Sequence, residues 1–180
     1  MKELYEETKL MDQMPIFKDS DIDPWWDPIT PIKVGTSKLS LKPLMMAGGS
    51  DWTELDVISS EDFCKIGILR VKLTKRDKFS KTDSNDQFEK KKKDMLDQDL
   101  NFTIEMDDLS FDKINHTNPF ITYSFNFDCS CVYQTAEAHK TTQLNFSKLH
   151  SIQRVTSEHL DYLDSRPLML NIYAYPYFTL

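Results

Sequence analysis

Apolar and polar side chains alternate along several short stretches of the chain, which is the period of a β-strand with one buried face. Apolar residues between positions 66 and 73 alternate with polar residues and glycine. Between 119 and 128 the alternation places Ile121, Tyr123, Phe125 and Phe127 on one face. Further strand signals lie at 33–42, 55–58, 102–106, 129–133 and 168–173, with weaker ones between 141 and 155. The pattern therefore predicts six to eight strands.

One helix start stands out near the carboxyl end of the chain. Thr156 and Ser157 supply hydroxyl groups that can cap a helix, and Glu158 places an acid in its first turn. Pro167 ends the helix after about two turns, because proline removes a backbone hydrogen bond. Many short strands and a single short helix predict an all-β fold, an antiparallel β-sandwich.

Residues 1–31 differ from the rest of the chain. They contain eight acids against three lysines, together with four prolines that prevent regular structure. We interpret them as an extended acidic N-terminal arm, followed by the sandwich at 32–180. Residues 75–99 have few apolar side chains and predict a charged surface loop or a frayed helix within the sandwich.

Composition excludes several classes of function. The 180 residues include only four glycines, which do not form the phosphate-binding loop of an NTPase or the glycine-rich turn of a dinucleotide-binding domain. The net charge of −7 disfavours nucleic acid as a partner. Three cysteines, no leader-like segment and no long apolar run predict a cytoplasmic chain with reduced thiols.

Two groups of residues have the chemistry of metal ligands. Cys129 and Cys131, with His139, could bind zinc, but two cysteines without a second pair are more commonly small buried side chains. Asp107, Asp108 and Asp112 are expected between strands, where carboxylates can collect calcium. Because calcium needs six to eight oxygen ligands, we interpret them as solvated turn acids. The sequence predicts no metal site, no cofactor and no catalytic residue.

Lys90, Lys91, Lys92 and Lys93 form a basic surface patch within the charged loop. Residues 75–93 carry eight basic and four acidic side chains, so this stretch is positive in a negative chain. Such a patch could contact anionic lipid or an acidic protein surface, such as that of tubulin. A solvated loop is the simpler interpretation.

The segment Asp23–Pro28 is the least ordinary in the sequence, with Trp25 and Trp26 adjacent in a polar arm. Each tryptophan buries on the order of 200 Å², so the pair is costly to leave in water. The arm can pack on its own domain, which we favour, or Trp25 and Trp26, flanked by Asp23 and Asp27, can dock on another chain.

Several motifs in order resemble one family. Asp23–Pro28, followed by Val34-Gly35-Thr36, resembles the segment that opens the region after the coiled coil in kinesin-3 type motors. The stretches 67–71, 102–104, 120–125 and 155–173 resemble the C2-like sandwich of those tails, so the resemblance covers roughly residues 20–176. It implies a C2-type sandwich that binds cargo adaptors, membranes or other motor segments. The motor domain is absent, and the calcium-binding aspartates of signalling C2 domains are not recognisably placed.

These observations lead to three hypotheses about function. The first is a non-catalytic protein-interaction module, like a kinesin-3 tail, that binds cargo adaptors or microtubule-associated partners, by analogy those of a cilium. The alternative is a calcium-independent peripheral membrane module that uses the lysine-rich loop. A metal-binding or catalytic domain built on Cys129, Cys131 and a histidine is the third and weakest reading.

Overall fold

The computed structural model of the chain describes residues 30–46, 51–76, 93–112, 116–138 and 143–176. The described residues from Pro31 onward belong to one compact unit, Pro31–Leu180. Except for Thr30 and Pro31, the predicted arm lies outside the described residues, as does most of the predicted charged loop. The strands of the sandwich lie within the described ranges.

Eight β-strands form in the described residues, which is the upper end of the predicted range of six to eight. They are β1 (Ile32–Leu39), β2 (Thr53–Ser59), β3 (Lys65–Lys75), β4 (Leu100–Phe111), β5 (His116–Phe125), β6 (Asp128–Gln134), β7 (Gln143–Ile152) and β8 (Leu168–Pro176). A short 3₁₀ turn, Lys42–Met45, follows β1, and a helix α1 (Ser157–Ser165) lies between β7 and β8. The predicted all-β fold with a short helix near the carboxyl end is confirmed.

The strands pair in one antiparallel sheet with the order β6-β5-β8-β1-β2-β3-β4-β7. Side chains from opposite ends of this order meet inside the molecule. Phe125 on β5 lies edge-on to Phe102 on β4 with ring centroids 5.9 Å apart. Tyr133 on β6 lies 4.6 Å from the ring of His150 on β7. The sheet therefore folds over on itself and encloses a single core, which confirms the predicted sandwich architecture.

The β1–β2 pair is the place where the sheet folds over. These strands share two residue pairs, Gly35 with Ser59 and Thr36 with Ile58, whereas β3 and β4 pair along most of their length. The strands approach so closely here that a Cβ atom on Gly35 would lie 2.7 Å from the backbone oxygen of Ile58. Glycine at position 35 thus permits the close crossing.

Strand β4 contains a β-bulge that corrects one prediction. The sequence predicts Asp107 and Asp108 between strands, but the structure places both inside β4, where the pairing with β3 shifts by one residue. Before the bulge, even-numbered side chains such as Met106 face the core, and after it Leu109 does so. The extra residue returns the next apolar side chain to the buried face. The strand therefore continues although apolar and polar residues no longer alternate strictly.

Helix α1 and the 3₁₀ turn pack together beyond one end of the sheet. Thr156 caps α1 as predicted, because its hydroxyl oxygen accepts a hydrogen bond from the backbone N–H of His159 at 3.3 Å. The Nδ1 atom of His159 accepts one in return from the backbone N–H of Thr156 at 3.1 Å. Leu160 and Leu163 are buried against the core. This end of the sandwich is covered by regular structure.

Candidate functional site

Most of the residues that the sequence singles out for binding lie outside the described residues. These are Asp23, Trp25, Trp26, Asp27 and the lysines at 90–92. Lys93 is described as a helical residue with an exposed side chain, and a turn separates it from β4. The interpretation of these residues as partner contacts and as a basic patch stays a prediction.

The structure separates the aspartates that the sequence groups together. Asp107 lies 3.9 Å from the guanidinium of Arg70 on the neighbouring strand β3, whereas Asp112 follows the end of β4. Cys131 is exposed on β6, and the side chain of Cys129 and all of His139 lie outside the described part. Within the described ranges, no three His, Cys, Asp or Glu side chains come together in a group that could hold a metal ion.

The hairpin between β2 and β3 displays a feature that the sequence analysis missed. Phe63 lies at its apex with 80% of its surface exposed, and its backbone φ is 58°. A non-glycine residue in this left-handed region is strained, and an exposed phenylalanine gains nothing from burial. Both observations make Phe63 unusual for a residue whose role is to stabilise the fold.

A set of hydrogen bonds fixes the turn that carries Phe63. The backbone N–H of Ser59 donates to the carbonyl oxygen of Cys64 at 2.9 Å, and the Ser59 hydroxyl oxygen accepts from the N–H of Glu61 at 3.1 Å. The Asp62 carboxylate accepts from the N–H of Cys64 at 3.2 Å. Hydrogen bonds from the Ser59 hydroxyl and from Cys64 hold the pKa of Asp62 below its ordinary value. The hairpin therefore presents Phe63 in a defined position.

A cleft of about 500 Å³ opens beside this hairpin, and we call it the hairpin cleft. The first residues of β1, the hairpin and the end of β4 meet here because β1 pairs with β2, and β3 pairs with both β2 and β4. Its apolar lining is Ile32, Val34, Ile66 and Phe111, and its polar lining is Lys33, Ser59, Glu61, Asp62, Cys64, Lys65 and Asp112. The volume falls within the range of about 300–1,000 Å³ that is common for ligand sites.

Among the described residues that line the hairpin cleft, acidic groups outnumber unpaired basic groups. The Nζ atom of Lys65 lies 2.6 Å from the carboxylate of Asp56, a residue outside the lining. This contact, helped by the charges of Asp112 and Glu54, raises the pKa of Lys65 above its ordinary value. The described lining thus contributes three carboxylates, those of Glu61, Asp62 and Asp112, against one lysine, Lys33, that is not paired with Asp56.

Sequence reasoning missed this cleft because its residues come from three separate parts of the chain. Ile32, the hairpin and Phe111 are far apart in sequence and form no local motif. One signal was available, namely a single aromatic residue, Phe63, inside the polar stretch 59–65. A lone exposed aromatic side chain is too common in folded proteins for that signal to identify a site by itself.

A second cluster of polar and aromatic groups lies within the core. His150 is 6% exposed, and its Nε2 atom lies 2.9 Å from the hydroxyl of Tyr123. Burial, followed by the charge of Lys148, lowers the pKa of His150 to about 4. Burial also raises the pKa of Tyr123. Both groups are neutral and hydrogen-bonded at neutral pH, so this cluster has the character of a packed core rather than of an open site.

Comparisons with known proteins do not assign the chain to a family. A scan against models of protein families finds no match, and a search of curated proteins finds no significant relative. The resemblance to kinesin-3 tails therefore stays a prediction from the sequence. In the part of the chain that the structure describes, no helix combines the length and the apolar character needed to cross a lipid bilayer.

Proposed function

We propose that the chain is a non-catalytic protein-interaction module that docks a partner protein at the hairpin cleft. The observation that carries the proposal is Phe63, which is 80% exposed on a hydrogen-bonded turn beside a cleft with apolar lining. Aromatic side chains held rigidly at a surface are typical anchors of protein interfaces, because they bury a large area at a small cost in conformational entropy.

The charged groups of the cleft suit recognition better than chemistry. A general base works best when its pKa is near the working pH, and an amine nucleophile must lose its proton. Asp62 has a lowered pKa and Lys65 a raised one, because each is hydrogen-bonded in its charged form. Both groups therefore stay ionised at neutral pH. Fixed charges of this kind orient a partner and do not transfer protons.

The resemblance to kinesin-3 tails supplies the class of partner. Together with the sandwich, it supports a C2-like module in the cytoplasm that binds cargo adaptors or microtubule-associated proteins, those of a cilium included. The arm segment Asp23–Pro28 would add contacts of its own. We expect Trp25→Ala with Trp26→Ala to lower either the melting temperature or partner capture. If both values stay unchanged, the arm has no part in the function.

Site-specific photo-crosslinking tests the docking site. A benzophenone amino acid replaces Phe63 in one protein and Val132 in a matched control, since Val132 is 69% exposed on β6 and does not line the cleft. We expect position 63, but not position 132, to capture a protein from a lysate of ciliated cells. The captured protein, once purified, should bind wild type about tenfold or more tightly than it binds Phe63→Ser. Equal capture at both positions contradicts the proposal.

The alternative proposal is a peripheral membrane module that uses the lysine-rich loop. Its support is the composition of residues 75–93, of which Lys93 is exposed in the structure. Co-sedimentation with phosphatidylserine vesicles tests it, with a variant in which Lys90–Lys93 become glutamine. Binding should be strongest at low salt, because exposed charges are screened as salt rises. If wild type does not sediment with the vesicles at low salt, this alternative is wrong.

A further inference from the structure

We propose that the partner segment received by the hairpin cleft carries an apolar side chain flanked by lysine or arginine residues. This inference rests on the proposed function and adds the chemistry of the partner. Three features of the described residues lead to it, namely the apolar lining of the cleft, the balance of charges around it and the residues next to Phe63.

The apolar lining requires an apolar side chain in the partner. Ile66 and Phe111 are half-buried, and Ile32 is 42% exposed although it lies on the first strand of the sandwich. Each would lose contact with water when an apolar group fills the cleft, which favours the complex. A segment made only of charged residues would leave this lining without a matching surface.

The balance of charges requires that the flanking residues be basic. Glu61, Asp62 and Asp112 line the cleft, and Lys65 is already paired with Asp56 at 2.6 Å. An acidic segment would meet three carboxylates and find Lys33 as its main counter-charge, whereas a basic segment would pair with the carboxylates. Like charges brought together at an interface are strongly disfavoured, so the same groups that attract a basic segment exclude an acidic one.

The surroundings of Phe63 favour a protein over a membrane as the occupant. Glu61 and Asp62 directly precede Phe63 in the turn. Anionic lipid surfaces attract basic residues and repel acidic ones, so these two carboxylates oppose insertion of the ring into such a surface. A protein pocket bordered by lysine or arginine has the opposite charge and accepts the same ring together with its acidic neighbours.

Titration of the full ¹⁵N-labelled chain with three capped pentapeptides tests the inference. Their central residues are Lys-Leu-Lys, Glu-Leu-Glu and Lys-Ser-Lys, each between two serines. We expect the Lys-Leu-Lys peptide to shift the amide signals of residues 59–66 and 111–112. The other two peptides should bind at least fivefold more weakly. Equal binding of Glu-Leu-Glu, equal binding of Lys-Ser-Lys, or shifts scattered over the sandwich would overturn the inference.

Charge reversal supplies the matched variants. Glu61→Lys with Asp112→Lys should exchange the preference, so that Glu-Leu-Glu binds better than Lys-Leu-Lys. Asp51→Lys with Asp94→Lys changes the net charge equally at two exposed acids that precede β2 and β4, at the opposite ends of these strands from the cleft. This control should keep the wild-type preference. If both double variants behave alike, net charge and not the cleft decides binding, and the inference is wrong.

Two further outcomes separate this inference from the proposed function. If phosphatidylserine vesicles shift residues 59–66 as the Lys-Leu-Lys peptide does, the occupant is a membrane and both proposals fail. If position 63 captures a partner protein by photo-crosslinking and the crosslinked segment is acidic, the protein-interaction module stands and only the chemistry of the segment is wrong.

Discussion

At the scale of single residues, His150 shows how the core fixes a protonation state. Its ring packs against Phe102, Tyr123, Phe125 and Tyr133, all within 6 Å between ring centroids. The hydroxyl of Tyr123 is its hydrogen-bond partner. The positive charge of nearby Lys148 contributes to the lowered pKa of His150. Burial and a neighbouring positive charge both disfavour the imidazolium form, so the folded protein keeps His150 neutral.

This arrangement predicts that acid weakens the fold. The pKa of His150 is 6.5 in the unfolded chain and about 4 in the folded one. Below pH 6.5 the unfolded state therefore binds a proton that the folded state binds only near pH 4. Across this window the free energy of unfolding should fall by about 3 kcal/mol from this group. Urea denaturation at pH 7 and pH 4.5 measures the change.

The control for this prediction removes the buried titratable pair. His150→Phe with Tyr123→Phe leaves neither group without a hydrogen-bond partner, which a single substitution would do. Carboxylates elsewhere also respond to acid, so the two proteins are compared with each other. The loss of stability between pH 7 and pH 4.5 should be about 2 kcal/mol smaller in the double variant. Equal losses in both proteins would mean that His150 is not held neutral.

A second prediction at this scale concerns Phe63. Its φ of 58° costs about 1 kcal/mol or more for a residue with a bulky side chain, whereas asparagine tolerates this conformation. Phe63→Asn should therefore raise the free energy of unfolding by about 1 kcal/mol while it abolishes capture of the partner. Phe63→Ala is the control, because it removes the ring and keeps the strain. If asparagine does not stabilise the hairpin, the strain argument fails.

At the scale of the elements, the two edge strands of the sheet are both protected. β7 has a bulge at Asn145, where φ is 46° and the pairing with β4 shifts. Lys148 is exposed on β7, and its Nζ atom lies 5.9 Å from the centre of the Tyr133 ring on β6. On β6, the pairing with β5 is irregular between Asp128 and Tyr133. Bulges and charged side chains on an edge strand, lysine above all, disfavour pairing with another sheet. The edge strands are therefore poor docking sites for a partner, and the β2–β3 hairpin is the better candidate.

This view predicts that Lys148→Val increases self-association. The substitution replaces an exposed cation on this edge strand with a residue of high β-propensity, next to Leu149, which is 50% exposed. Sedimentation velocity over a range of concentrations should detect dimers or larger species that wild type does not form. Lys38→Val on the internal strand β1 is the matched control and should stay like wild type. A monomeric Lys148→Val protein would contradict the prediction.

The secondary-structure elements also show which parts of the fold could be predicted from the sequence. The strand signals of the sequence, which are clearest where apolar and polar residues alternate, fall on all eight strands, because burial of one face imposes a period of two. It failed at Asp107 and Asp108, since a bulge changes that period without any change in composition. The cap at Thr156 was readable because capping uses neighbouring residues, whereas the hairpin cleft was not, because tertiary pairing assembles it from distant parts of the chain.

At the scale of the whole molecule, the sandwich has two unlike ends. The end with α1 and the 3₁₀ turn is tied by an ion pair of 3.5 Å between Lys42 and Asp164. At the other end, the hairpin cleft opens between β1, the hairpin and β4. The β1–β2 pair joins the half of the sheet that contains β6, β5, β8 and β1 to the half that contains β2, β3, β4 and β7. Both ends of the sandwich therefore depend on this crossing.

The crossing makes Gly35 a position where the addition of one methyl group should weaken the fold. An added Cβ would lie 2.7 Å from the Ile58 oxygen and 3.0 Å from a methyl carbon of Val57, and neither the backbone nor the buried Val57 can move freely. Gly35→Ala should therefore lower the free energy of unfolding by about 1–3 kcal/mol. Lys38→Ala, an exposed position on the same strand, should change it by less than about 0.5 kcal/mol.

Amide hydrogen exchange distinguishes a failure of the crossing from a general loss of stability. If the β1–β2 pair connects the two halves, Gly35→Ala should speed exchange most at residues 34–37 and 57–60, where the strands meet, and less within the long β3–β4 pair. Exchange that becomes faster to the same extent in all strands would mean that the sheet unfolds as one unit and that the β1–β2 pair is not its weakest part. A variant as stable as wild type would show that β1 and β2 can separate to admit a methyl group, and the close crossing would then not be a requirement of the fold.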